Sequence, residues 1–227
     1  MIEQFSHFIK NHHFLVIYGI TWIISVKYYR KYFDTPLRFL PIIIAYTFFT
    51  ELLGYLIGTS EEYAFFNKLE SSNDIIYNIY GLVFFSYFQF IFWKLVDTIL
   101  HKKVILILWF ISFGGFVVNA FFQNPLIQVL FYATSIAALL LAITVLIYWR
   151  DKRPEWSWSI DRYNLVTYIS IGLFIFHLIF PFIFLTSFLK NELWFTLNLG
   201  NIHKSLIVLM YSLFCLGFII SRRRAFR

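Results

Sequence analysis

The sequence is poor in the residues that soluble domains and secreted scaffolds depend on. It has one cysteine, Cys215, so no disulfide can form within the chain and cysteine usage gives no redox compartment. Only 14% of its residues are charged, and no polar stretch exceeds a short loop, which leaves no room for a soluble catalytic domain. There is no glycine-rich phosphate loop, no HExxH and no GxSxG, so the common signatures of nucleotide, zinc-protease and serine-hydrolase chemistry are missing. The N-terminal MIEQFSHFIKNHHF lacks the basic-then-apolar pattern of a cleaved signal peptide, and the first apolar run is expected to stay.

What is present is apolar and aromatic. Of the 227 residues, 60% are hydrophobic, the mean hydropathy is +0.71, and there are 30 phenylalanines, 15 tyrosines and 7 tryptophans. A soluble domain carries about 45–50% apolar residues, and a bilayer-spanning helix needs about 20 in a row. The expected fold is therefore all-α, a polytopic membrane protein forming a single domain over 1–227. Seven spans are expected, at about 13–31, 36–58, 74–100, 104–122, 126–149, 162–189 and 202–221. Loops containing Asp34-Thr35-Pro36 and Gln123-Asn124-Pro125 punctuate them.

The formal charge of +7 does not indicate nucleic acid, because the basic residues sit at the ends of apolar runs. Fifteen of the 19 lysines and arginines fall around the segments after spans one, three, five and seven. Only Lys10, Lys68, Lys190 and Lys204 fall on the other side. By the positive-inside rule the N-terminus is expected outside and the C-terminus in the cytoplasm, in a multi-pass protein of the cytoplasmic (inner) membrane.

Within the second span, PLRFLPIIIAYTFFTELLGYLIG, lies Glu51. A carboxylate at that depth costs roughly 2.5–3.5 kcal/mol on insertion scales and needs a partner or a wet cavity. It stands seven residues before the outer end of its span, roughly 10 Å below the surface at 1.5 Å per residue. Tyr55, Tyr77, Asn78, Asn119, His177 and His203 fall in the same outer half or at the middle. Together they form the candidate ligand cavity, opening outward if these faces point inward. Each also has a plain structural role. Glu51 can be a buried interhelical hydrogen bonder, His177 a satisfied core histidine, and Asn78 and Asn119 interhelical glue. His7, His12 and His13 lack a carboxylate or cysteine to complete a metal set, so neither metal nor cofactor is expected. Asp161-Arg162-Tyr163 opens the sixth span rather than closing a third, and Lys204 lies at the mouth of its span, too shallow to carry retinal.

TELLGY at Thr50–Tyr55, followed by NDIIYNIYGLVFF at Asn73–Phe85, resembles a motif pair of small seven-helix integral membrane proteins of Bacteroidota. The resemblance implies topology, and a shared structural or ligand-facing unit of Glu51 with Tyr77 and Asn78. It implies no reaction. The resulting expectation is a non-enzymatic sensory or partner-binding membrane module, in contact with the bilayer and with a cytoplasmic or membrane signalling partner; a homo-oligomer is left open. The alternatives are a proton- or ion-coupled transporter or pore-forming effector using Glu51 and His177, and an intramembrane lipid-acting enzyme.

Overall fold

The computed structural model describes residues 13–59, 74–155, 161–189 and 191–222. Expectations for the N-terminal histidines His7 and His12, for Lys10, Lys68 and Lys190, and for the basic residues Arg223, Arg224 and Arg227 after span seven fall outside these residues. The described residues are mostly helical, with no strand among them. The helices are α1 (His13–Lys27), α2 (Leu40–Thr59), α3 (Asp74–Leu95), α4 (Ile99–Phe122), α5 (Phe131–Lys152), α6 (Leu165–Leu189) and α7 (Leu199–Ile220). Six segments, α3 to α7 and Pro36–Ile57 around α2, are long and apolar enough to cross a membrane. The seventh, α1, is apolar but shorter. A six-residue helix, Asn191–Thr196, lies between α6 and α7.

The helices close into a ring. Each of α1, α2 and α3 touches the next, α3 meets α5, α5 packs on α6, α6 on α7, and α7 returns to α1. α4 lies outside this ring against α3 and α5, and its face of Phe110, Val118, Phe121 and Phe122 is exposed. An apolar exterior around an apolar, aromatic interior suits a bilayer rather than water. Small residues set the closest approach. Ala133, Ala137 and Ala138 are buried on α5, and a side-chain carbon added at Gly217 of α7 would come within 2.9 Å of Leu165 and Tyr168 of α6.

One end of the bundle is tied by charge. The Lys31 ammonium donates to the carbonyls of Phe218 (3.0 Å) and Ile219 (2.9 Å), satisfying the C-terminal turn of α7. Nearby, the Tyr32 hydroxyl donates to the Ser25 carbonyl at 2.6 Å, and burial of its ring raises its pKa. The Arg222 amide donates to the Tyr163 carbonyl. At the same end the Asp151 carboxylate accepts from the amides of Asp97 (2.8 Å) and Thr98 (3.2 Å) and pairs with His101 (2.8 Å), while Lys152 pairs with Asp97.

Those last contacts move a helix boundary. The apolar run through Leu100 reads as a third span ending there, with His101–Lys103 as the loop. Instead α3 ends at Leu95, and Ile99–Leu100 with the basic triplet begins α4. The reason is a carboxylate supplied from another helix: Asp151 takes the amides of Asp97 and Thr98 in the break just before α4, and hydropathy carries no trace of that. The other ends shift by up to five residues. The largest shift is at α5, which starts at Phe131 because residues 124–130 form a turn.

Candidate functional site

The polar residues predicted from the sequence separate into three groups. Glu51 belongs to the first. In α2 the residues Thr47, Glu51 and Tyr55 recur at intervals of four and share one helix face. From α3, Tyr77 and Tyr80 recur at an interval of three. Glu51 is half-buried, and within electrostatic range of it are Tyr18 on α1, Tyr77 and Tyr80 on α3, and Tyr211 on α7. Three other helices thus bring tyrosines into the neighbourhood of this one acid.

Near it runs a network of hydroxyls. Thr47 Oγ1 donates to the Ile43 carbonyl at 2.9 Å and lies 3.1 Å from Tyr80 Oη. With the threonine proton already given, Tyr80 is the donor in that second contact. Tyr211 Oη comes within reach of the same two residues, and its ring meets Tyr18 edge-on at 4.5 Å. One turn further along α1 and α7, Thr21 Oγ1 and Cys215 Sγ stand 3.1 Å apart. Among the described residues none hydrogen-bonds the Glu51 carboxylate. Tyr55, half-buried on the same face, packs against the core.

The motif pair meets physically at one point. A side-chain carbon at Gly54 would fall 1.7 Å from Tyr77 Oη, so the glycine of TELLGY leaves room for the tyrosine of NDIIYN. That contact sets Tyr77 against α2 within a turn of Glu51.

Asn78 follows Tyr77 by about 100° around the helix and serves a different purpose. Its Nδ2 donates to the carbonyls of Pro125 (2.8 Å) and Gln128 (2.9 Å), and its Oδ1 accepts from the Leu130 amide (2.8 Å). Asn119 does the same from α4: Oδ1 accepts from the Ala133 amide at 2.9 Å and Nδ2 donates to Gln123 Oε1 at 2.8 Å. The two asparagines hold the turn between α4 and α5 and satisfy amides that open α5. Their polar atoms are used within the protein, so the structure does not bring them to Glu51.

The histidines form the third group. His177 is 2% exposed. Its Nδ1 is 2.9 Å from the Leu173 carbonyl, to which it donates, and its ring stacks on Phe84 and meets Phe85 and Phe176 edge-on. His203 sits on the far side of Phe176, between that ring and Phe180, with its Nδ1 unpaired among the described residues. Phe84, which has no polar atom, stands between Tyr80 and His177. The acid and the histidines therefore share an aromatic interior but no hydrogen-bonded path among the described residues. Sequence reasoning missed Tyr18, Thr47, Tyr80 and Tyr211. Two of them carried a signal, since Thr47 precedes Glu51 by one helical turn and Tyr80 follows Tyr77 by one. Tyr18 and Tyr211 carried none, because their place depends on how α1 and α7 are rotated.

Among the described residues no cluster of histidine, cysteine and carboxylate side chains could hold a metal ion. Compared with known families, with curated proteins and with solved structures, the chain shows no match.

Proposed function

We propose that this chain is a non-enzymatic membrane module that binds a small cationic or hydrogen-bond-donating ligand at Glu51 and passes the resulting change to a partner protein. The observation that carries the reading is the acid itself. Three other helices bring tyrosines near a carboxylate that accepts no hydrogen bond among the described residues. A half-buried acid within a span, kept only for structure, is ordinarily paired or hydrogen-bonded. Tyrosine faces around a carboxylate also suit an ammonium group, which gains from both charge and ring quadrupole.

In this reading α1 is a seventh crossing, about 22 Å of helix at 1.5 Å per residue, completed by the turn around Tyr29–Lys31. The N-terminus is outside the cytoplasmic membrane and the C-terminus inside. The concentration of basic residues on the end bearing Lys31, Lys94 and Lys152 supports that orientation. That same end is the surface available to a signalling partner. Phe84, interposed between Tyr80 and His177, favours a binding module over a proton relay. The absence of a second acid beside Glu51 among the described residues favours it over lipid hydrolysis.

The test uses small primary and quaternary ammonium ions with the purified full chain in lipid nanodiscs. Saturable stabilisation of the wild type, abolished in Glu51→Gln, is expected. Ammonium ions that leave the melting curve of the wild type unmoved, or that shift both proteins alike, refute the reading.

A further inference from the structure

Residues 96–98 alone join α3 to α4, so the two helices end side by side at one end of the bundle. Just inside that end, on the outside of the ring, they enclose a groove of about 420 Å³. Phe90 and Trp93 of α3 and Ile105, Leu106 and Trp109 of α4 form most of its wall. Phe90 and Leu106 are 48% and 44% exposed, so the groove opens sideways on the surface that faces lipid. Its end carries charge. Lys94 follows Phe90 by one helical turn, and its ammonium lies over the rings of Phe90 (5.7 Å) and Trp93 (4.9 Å). Lys102 precedes Leu106 by one turn and Trp109 by two, so it stands on the same face of α4, nearer the helix end.

The acids at this end are already engaged. Asp97 pairs with Lys152, and Asp151 with His101 and the amides of Asp97 and Thr98. Among the described residues neither Lys94 nor Lys102 has a carboxylate partner. An apolar partner helix would fill the groove and leave two ammonium groups uncompensated. A free phosphate or an acidic soluble segment would meet the lysines and leave the aromatic walls bare. A phospholipid answers both, because its acyl chains hang directly beneath its phosphate. The depths agree. From Lys94 to Ser86, the deepest α3 residue of the wall, is roughly 12 Å of helix, within the ~15 Å hydrocarbon depth of one leaflet. The head group should carry net negative charge, since a zwitterionic one brings an ammonium of its own. Basic pockets between membrane helices select anionic head groups for this reason.

We infer that the α3–α4 groove holds an anionic phospholipid, with one acyl chain lying among Phe90, Trp93, Leu106 and Trp109 and the head-group phosphate held by Lys94 and Lys102. The lipid enters sideways from the bilayer. This site shares no residue with the surroundings of Glu51 and does not depend on what binds there.

The experiment places the full chain in phosphatidylcholine nanodiscs doped with phosphatidylglycerol and follows tryptophan fluorescence. Bromine atoms on the acyl chains of one lipid or the other quench the tryptophans they touch, and the difference between the wild type and Trp109→Phe isolates the groove. A preference on the order of tenfold for brominated phosphatidylglycerol over brominated phosphatidylcholine is expected at Trp109. Lys94→Gln combined with Lys102→Gln should abolish that preference, and each single variant should lose part of it. Neither lysine makes an ion pair among the described residues, so these variants should melt with the wild type in phosphatidylcholine alone. Lys103→Gln, exposed and one residue further round α4, should keep the preference, which separates this site from the general attraction of a basic surface. Glu51→Gln should keep it too. Equal quenching by the two lipids in the wild type overturns the inference, as does a preference that survives the double variant or is lost equally in Lys103→Gln. So does a Trp109 that a second copy of the chain shields from both lipids.

Discussion

Two polar regions sit toward the same end of the bundle, and they are built on opposite terms. In the knot around Asn78 and Asn119, each side-chain amide is used up on the turn between α4 and α5. In the chamber around Glu51, tyrosines from three other helices lie near a carboxylate that none of the described residues hydrogen-bonds. The first region holds backbone groups that lipid could not satisfy, and its value is structural. The second leaves a polar group available, which is how a binding site differs from a joint. The contrast teaches that polarity within a membrane domain does not identify function; the state of the hydrogen bonds does.

Asn78→Leu puts the greatest strain on this contrast. It strips partners from two carbonyls and one amide at once, and at about 1–3 kcal/mol for each unmet group it should cost roughly 3 kcal/mol or more. A thermal unfolding curve in detergent micelles should show a large drop. A melting point within a degree or two of the wild type would mean the knot is not the joint described here.

Next in size come two glycines that differ in what they face. Gly217→Ala drives a methyl group to within 2.9 Å of Leu165 and of the Tyr168 Cβ, which belong to a neighbouring helix and have little room to retreat. A loss of about 1–3 kcal/mol is expected, as for overpacking elsewhere. Gly54→Ala collides with Tyr77 Oη, the far end of a side chain that can swing away. The loss of stability should therefore be smaller than for Gly217→Ala, about 1 kcal/mol. The displaced ring should however leave the Glu51 chamber, and the ammonium response of the wild type should weaken. If Gly54→Ala destabilises more than Gly217→Ala, the chamber is as tightly packed as the α6–α7 seam and the contrast fails.

The smallest effect on stability is expected from Glu51→Gln. It keeps the shape and removes the charge of a group that no described residue hydrogen-bonds, so unfolding should move by less than about 1 kcal/mol in either direction. A loss of several kcal/mol would show that Glu51 is a structural partner like Asn78, and the proposed binding role would go with it.

The helices themselves could largely be read from the apolar runs. A bilayer-crossing helix satisfies its own backbone and meets lipid along its sides, so its existence depends mainly on its own residues. The depth of Glu51, and its company with Tyr55 and Tyr77, followed from counting along single helices. The break at residues 96–98 could not be read, because Asp151 makes it from another helix. Nor could the separation of Asn78 from Tyr77, one residue apart yet facing different neighbours. The short helix Asn191–Thr196, and the left-handed Asn198 that starts α7, likewise gave no sign in the pattern.

By itself, then, the sequence determined that this is a chain of apolar helices with an acid set among them, since hydropathy is a property of each segment alone. Tertiary structure decided which polar atoms find one another: Glu51 with tyrosines from three other helices, the asparagines with a turn, and His177 with phenylalanines. Those pairings depend on the rotation of each helix against its neighbours. That rotation is fixed by packing between helices and is written in no single one of them.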